Sequence, residues 1–167
     1  SGIVPHGWVG TEIQFLNLLK ESTWRNFFQE NQVKAILAEH VWEHLTLEEG
    51  ELAAKNCFKF LKKGGYVRVA VPDGYFPDEK YINHVKINGI GDGADDHKVL
   101  YNYKTFSEVF EKAGFQINLL EYFDEDGKFT YHEWSKDDGM IYRSKRYDKR
   151  NKDKIRYTSI ILDAIKK

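Results

Sequence analysis

The fold of this chain is decided by residues 33–73, VKAILAEHVWEHLTLEEGELAAKNCFKFLKKGGYVRVAVPD. The short apolar runs at 33–38 and 66–71 are typical of buried strands in a mostly parallel sheet. Between them, the sequence TLEE at 46–49 predicts a capping box, in which a hydroxyl and a carboxylate each bond an unpaired amide at a helix start. The glycine pair at 64–65 predicts the end of that helix. The stretch therefore predicts a strand, a crossover helix and a second, parallel strand.

Downstream of this unit the pattern indicates antiparallel connections. The predicted elements are a short helix near 78–87, a helix opened by a second capping box at 105–108, and strands at 115–122, 129–133 and 157–164. The sequence DEDG at 124–127 has the composition of a hairpin turn. The irregular connection at 72–104 has the length of a lid or a binding loop. We expect an α/β fold whose sheet is mostly parallel, with an antiparallel C-terminal end.

The composition excludes several classes of protein. A chain of 167 residues suits one domain, which we expect to span 1–167. With 25 Lys and Arg against 26 Asp and Glu, the net charge of −1 excludes a globally basic nucleic-acid-binding protein. Cys57 is the only cysteine, which excludes a disulfide framework and a cysteine-based zinc site. No apolar run approaches the length of a membrane helix and no signal peptide is recognisable, so we expect a cytoplasmic protein.

The quoted stretch also contains three motifs in a familiar order. EHVWEHL at 39–45 follows the first predicted strand, LKKGG at 61–65 precedes the second, and VPD at 71–73 ends it. In this order and spacing they resemble the central block of class I S-adenosylmethionine-dependent methyltransferases. The resemblance implies a Rossmann-like methyltransferase sheet, S-adenosylmethionine as the cofactor, and methyl transfer as the activity.

Two upstream segments are similar to the same family. Residues 7–13 resemble its second strand, whose acidic end binds the ribose hydroxyls, and residues 15–18 resemble its next strand, beside the adenine. A carboxylate accepts both hydrogen bonds of a diol, which is the role that the resemblance implies for Glu12. The cofactor-binding residues that it implies are Gly2, Glu12, Asn17, Leu18, Glu39 and His40.

One part of the family pattern has no counterpart in this chain. The family's first strand and most of its glycine-rich loop are missing, because only Ser1-Gly2 stand where that loop would end. Glycines in that loop let the backbone approach the methionine end of the cofactor. Three explanations stay open: a longer gene product, a sheet that closes differently, or a second protomer of a homo-oligomer that fills the gap. We expect the first, with the chain truncated at its N-terminus.

Three side chains are candidates for catalysis beside the methyl acceptor. Asp73 ends a parallel strand at the edge where open α/β sheets bind their ligands. His44 and His97 carry imidazoles that can take a proton near neutral pH. The structural alternatives are a turn residue for Asp73, a helix cap for His44, and a solvated loop for His97.

The expected partner is a small-molecule or saccharide-like acceptor, and we expect binding neither to nucleic acid nor to a membrane. The basic stretch at 143–154 would also suit an anionic acceptor such as a sugar phosphate or RNA, against the alternative of a charged, solvated hairpin.

Two other functions stay open. The chain can be a non-catalytic binding or assembly module that kept the sheet and lost the glycine-rich loop. Alternatively, HVWEH at 40–44 matches the HxxEH pattern, in which two histidines one helical turn apart bind the zinc of a hydrolase. Because the string directly follows a strand here, hydrogen bonds from His40 and Glu43 to nearby loops are the structural alternative. We assign no metal ligands from the sequence.

Overall fold

The computed structural model describes residues 7–167, which form a five-stranded sheet with helices. The strands are β1 (Val33–Glu39), β2 (Leu61–Pro72), β3 (Gln116–Phe123), β4 (Phe129–Tyr131) and β5 (Ser159–Ile165). The α-helices are α1 (Glu21–Arg25), α2 (Leu47–Phe60), α3 (Glu79–Val85) and α4 (Tyr103–Glu111). Single 3₁₀ turns lie at Trp42–His44, Ala94–Asp96 and Lys136–Asp138. In the part of the chain described, no helix is both long enough and apolar enough to cross a bilayer.

The strand order is β1-β2-β5-β3-β4, and it confirms the predicted α/β sheet with an antiparallel C-terminal end, although β1–β2 is the parallel pair and the other three pairs are antiparallel. β1 and β2 are parallel, whereas β5 pairs antiparallel with β2 on one side and with β3 on the other. β1, β2 and β3 therefore run in the same direction, and β4 returns antiparallel to β3 as the hairpin that the DEDG turn predicts. The carboxyl ends of β1 and β2 consequently meet at one edge of the sheet.

The largest hydrophobic cluster lies between one face of the sheet and the helices α2 and α4. α2 contributes Ala54 and Phe60, and α4 contributes Phe106 and Phe110, all completely buried. Successive β5 side chains alternate between faces, so Ile160 and Leu162 join this cluster while Ile161 packs on the opposite face beside Trp134 and Ile141.

The helix between the parallel strands begins as predicted but ends earlier. Thr46 and Glu49 form the reciprocal capping box of α2. The helix stops at Phe60 and β2 begins at the next residue, so the prediction that Gly64 and Gly65 end the helix was wrong. These glycines lie in a bulge of β2, where Gly64 has a φ of +76° and a Cβ on Gly65 would meet the Lys34 carbonyl oxygen at 2.8 Å. Gly65 is required by the close approach of β1, whereas Gly64 is required by its left-handed backbone, because a Cβ on it would meet no neighbour.

The second capping box lies three residues earlier than predicted. Asn102, rather than Thr105, is the N-cap of α4, because its side-chain oxygen accepts the N–H groups of Lys104 and Thr105. Thr105 completes the box by accepting the Asn102 backbone N–H.

The segments upstream of β1 do not form the strands predicted at 7–13 and 15–18. Residues 12–16 instead form a turn, in which the Glu12 carbonyl accepts the N–H groups of Phe15 and Leu16. Among the described residues β1 pairs only with β2, so the outer edge of β1 is open. Strands at 7–13 and 15–18 would need a ladder partner on this edge, and the turn instead satisfies the N–H groups of Phe15 and Leu16 locally.

Candidate functional site

The site is organised around the loops that follow β1 and β2 at the shared carboxyl edge. In open α/β sheets this edge is where ligands bind. The β1 loop carries residues 39–44, with all of the EHVWEH motif, and the β2 loop begins at Asp73.

Glu39 and His40 hold neighbouring loops in place. The Glu39 carboxylate accepts backbone N–H groups from Tyr142, at 3.1 Å, and from Arg143, at 2.6 Å. The His40 ring bonds the Glu43 carboxylate through Nδ1, at 2.7 Å, and the Ser159 hydroxyl through Nε2, at 3.0 Å. These two side chains therefore connect the β1 loop to the segment that precedes β5 and to the start of β5.

The HxxEH string does not have the geometry of a helical zinc motif. His40 has a left-handed backbone with a φ of 55°, and the residues after it form a single 3₁₀ turn rather than an α-helix. The two histidines consequently do not lie one helical turn apart on an α-helix, and His40 is held by Glu43 and Ser159. The reading of the string as the zinc motif of a hydrolase was wrong for this reason.

His44 instead lies beside His97, which comes from the loop before α4. Their ring centroids are 4.9 Å apart in an edge-to-face arrangement. One ligand atom each from Glu43, His44 and His97 lie within 4.8 Å of one another. Tyr101 also carries a buried hydroxyl with no hydrogen-bond partner among the described residues, and burial, reinforced by the charge of Glu43, raises its pKa to about 12. Sequence reasoning singled out both histidines but missed Glu43 as their neighbour, although it lies inside the HxxEH string.

Asp73 is completely buried, so its carboxylate does not face an open cleft. One oxygen accepts the N–H of Tyr75 at 2.9 Å and the other accepts the N–H of Phe123 at 2.7 Å. Burial raises the pKa of Asp73 to about 6, against the opposing effect of these two N–H donors. Asp73 therefore stabilises the turn that follows β2 and also links this loop to the end of β3. A catalytic role for Asp73 stays a prediction.

The raised pKa of Asp73 predicts a pH-dependent stability. Well below its ordinary pKa of 3.8 the carboxyl is protonated in both the folded and the unfolded chain, whereas above its folded pKa of about 6 the folded state holds a buried charge. Its contribution to stability is thus present at low pH and is lost as the pH rises through 6. Urea unfolding should give a free energy about 2 kcal/mol lower at about pH 7 than at about pH 4.5 from this group alone. In Asp73→Asn this component should vanish, and an identical pH profile in the variant would contradict the assignment.

A cavity of about 910 Å³ lies along the open edge of β1. Glu12, Asn17 and Leu18 line it, together with Ala38 at the carboxyl end of β1. Glu12 is exposed there, while the Asn17 side-chain oxygen accepts the N–H of Leu19. The structure therefore brings three of the six predicted cofactor-binding residues to one cavity.

The other predicted cofactor-binding residues lie elsewhere. Glu39 and His40 do not line the cavity, since their polar atoms face the loop around residue 142 and the start of β5. The prediction placed Gly2 at the methionine end of the cofactor, and this residue lies outside the described residues.

The basic stretch at 143–154 borders a separate cavity of about 340 Å³. Its charged lining includes Lys145, Arg146, Lys152 and Lys154, with Glu133 and Asp153 as the acidic members. The Lys145 ammonium also lies 4.3 Å from the centroid of the Tyr131 ring. These cationic groups are mixed with carboxylates, so the stretch is not a uniformly basic surface.

Comparison with known proteins agrees with this topology. No family model matches the chain, and no curated protein matches it. A methyltransferase from Thermotoga maritima described as S-adenosylmethionine-dependent is 16% identical, with a TM-score of 0.50, over 84% of this chain and 59% of that one. An O-methyltransferase family protein from Burkholderia thailandensis is 13% identical, with a TM-score of 0.50, over 90% of this chain and 34% of that one.

These likenesses show the fold that the resemblance implies, that of class I S-adenosylmethionine-dependent methyltransferases. This chain spans less than two thirds of the length of either protein.

Proposed function

We propose that this chain, as a single domain of residues 1–167, is a methyltransferase unit that uses S-adenosylmethionine and a small-molecule or saccharide-like acceptor. The observation that carries the proposal is the methyltransferase fold with Glu12, Asn17 and Leu18 gathered in the cavity beside β1. This is the strand whose carboxyl end carries the EHVWEHL motif.

The residues present fit a nucleoside in the cavity. Its volume of about 910 Å³ exceeds what a cofactor of this size fills, and apolar side chains such as Leu16, Val41 and Leu45 form part of its wall. Glu12 supplies an exposed carboxylate able to accept both hydroxyl hydrogens of a ribose. Leu18 and the amide of Asn17 would border the adenine, while Glu39 and His40 would act by holding the β1 loop in position.

The proposed reaction needs alignment more than acid–base chemistry. When bound, the cofactor supplies an electrophilic methyl group on its sulfonium. The chain's residues would orient the acceptor in line with that group, exclude water and remove the acceptor's proton. His44, one-third exposed, is the most accessible of the three candidate bases, because His97 and Asp73 are buried; none of the three lines the cavity.

Calorimetric titration with S-adenosylhomocysteine tests the proposal. We expect the wild-type chain to bind, and Glu12→Gln to bind about 10- to 100-fold more weakly, because a charged acceptor is replaced by a neutral one. Glu111→Gln is the matched control, since Glu111 is exposed at the end of α4, outside the residues that line the cavity, and should bind like the wild type. Equal affinity of Glu12→Gln and wild type would contradict the role of Glu12.

The same titration separates the alternative function. A wild-type chain that gives no binding heat would overturn the proposal and favour a non-catalytic module with a methyltransferase fold. The open edge of β1 is the feature that favours this alternative, because the described residues place no strand beside it.

A further inference from the structure

The geometry points to a binding site for a divalent transition-metal ion formed by Glu43, His44 and His97. One donor atom from each lies within 4.8 Å of the others. This site is different from the HxxEH zinc motif, because His40 is not one of its ligands and instead forms a hydrogen bond with Glu43. It does not rest on the proposed function, and an ion bound by His44 would exclude that imidazole from acting as the base.

Glu43 presents a buried carboxylate oxygen that is available to bind a metal ion. The side chain is 1% exposed, and its Oε1 accepts a hydrogen bond from His40. Its Oε2 is buried and has no hydrogen-bond partner among the described residues. A buried carboxylate oxygen without a partner is costly because it has lost its hydration, so such atoms in native proteins are normally satisfied by a water, an ion or another group.

His44 presents a second donor of the same kind. Its Nδ1 is buried and makes no hydrogen bond with described residues, although the Asp96 carboxylate lies 3.5 Å away. Two potential metal-ligating atoms without hydrogen-bond partners, an oxygen and a nitrogen, thus come from consecutive residues of one 3₁₀ turn. An acceptor oxygen beside an imidazole nitrogen is the arrangement that a cation satisfies.

His97 is oriented as metal-binding histidines are. Its Nδ1 lies 2.7 Å from the Val85 carbonyl oxygen, which can only accept, so Nδ1 carries the proton. In the neutral ring Nε2 then keeps its lone pair. Metal-binding histidines usually donate the N–H of the other ring nitrogen to a carbonyl or carboxylate oxygen in this way, which fixes the tautomer. His97 is 8% exposed, so this orientation is set inside the protein.

The backbone holds the two halves of the site together. The Glu43 carbonyl accepts the N–H of Lys98 at 2.7 Å, directly after His97 in the chain. The Trp42 ring, completely buried, fixes the 3₁₀ turn from the other side through a hydrogen bond to the Gly50 carbonyl oxygen at 3.2 Å. The donors are therefore carried by two segments that are hydrogen-bonded to one another.

Two imidazoles and one carboxylate select the class of metal. This donor set suits Zn²⁺, Fe²⁺ or Mn²⁺ and does not suit Ca²⁺, which prefers oxygen ligands alone. Around a tetrahedral zinc the ligand atoms lie about 3.4 Å apart. The three atoms of this cluster lie within 4.8 Å of one another, so side-chain movements of about 1 Å would bring them to that spacing. Three protein ligands leave a further position, where Asp96 or a small ligand can bind.

Metal content measured on the purified chain tests the site without any assay of activity. After incubation with Zn²⁺ and dialysis, we expect about one zinc per wild-type chain by elemental analysis, and a rise in melting temperature on adding Zn²⁺. Co²⁺ should give the visible absorption of a bound, low-symmetry ion. His44→Ala and His97→Ala should each weaken zinc binding by about 100-fold or more, since they remove a ligand and not merely a supporting group.

The controls keep the result decisive. His132→Ala removes an exposed histidine outside the cluster and should retain the full zinc content. Glu43→Gln keeps the shape and the contact with His40, and it should lose zinc. If the buried variants fail to fold, His44→Ala alone decides, because its side chain is one-third exposed. A wild type that takes up no more zinc than the ligand variants, or variants that bind zinc as well as the wild type, would overturn the inference.

Discussion

Replacing Arg68 by methionine should lower the free energy of unfolding by about 3–5 kcal/mol, the range observed when one partner of a buried ion pair is removed. Arg68 is 2% exposed in β2, directly opposite Asp163 of β5. Its Nε and Nη2 donate to the two carboxylate oxygens, each at 2.8 Å, and Nη1 donates to the carbonyl oxygens of Ser135 and Gly139. The substitution leaves the Asp163 charge without a partner and two carbonyls without a donor.

Urea unfolding of a small variant series measures this effect. Asp163→Leu combined with Arg68→Met should be less destabilised than the sum of the two single variants, because the unpaired charge is then removed as well. Arg25→Met is the control, since Arg25 forms its ion pairs on the exposed surface, where they contribute little. Additive losses in the double variant would show that the pair is not coupled.

The second large effect is expected for Trp42→Ala, with a loss of about 3–5 kcal/mol. The ring is completely buried, lies 5.2 Å from Phe110 by centroid, and donates its Nε1–H to the Gly50 carbonyl oxygen. The substitution leaves a cavity between the 3₁₀ turn, α2 and α4. Because Glu43 and His44 follow Trp42 in the same turn, the variant should also bind zinc more weakly.

Chemical denaturation and zinc titration on the same samples distinguish packing from hydrogen bonding. Trp42→Phe fills most of the volume but lacks the N–H donor, so we expect a smaller loss of about 1–3 kcal/mol. A stable Trp42→Ala variant with unchanged zinc affinity would show that the turn does not depend on this ring.

The strand–helix–strand unit could be predicted because its signals are local. Thr46 and Glu49 bond each other's amides, so their spacing is sufficient to locate the start of α2. The end of α2 was misplaced because Gly65 is required by a contact with β1 and Gly64 by a left-handed backbone within β2. The sequence pattern contains no information on which strand approaches Gly65. For Asn102 the signal was present in the sequence, but Thr105 offered an equally plausible cap.

The site was less predictable because its members meet only in three dimensions. His97 and Glu43 are 54 positions apart, and they become neighbours through the bond between the Glu43 carbonyl and Lys98. The resemblance led to Glu12, Asn17 and Leu18, which do share a cavity, although the strands expected to carry them are absent from the described residues. It placed Glu39 beside them, whereas backbone amides at residues 142 and 143 hold that carboxylate.

The position of β5 has a consequence for how the chain folds. β5 follows every other strand in the sequence, yet it lies between β2 and β3 and pairs with both. The β3–β4 hairpin can form early from local contacts, but among the described strands its pairing with the β1–β2 pair runs only through β5, residues 159–165. Loop closure over such separations is slow compared with helix or hairpin formation. Assembly of the sheet therefore waits for its last strand, and until then both halves expose unsatisfied strand edges to other chains.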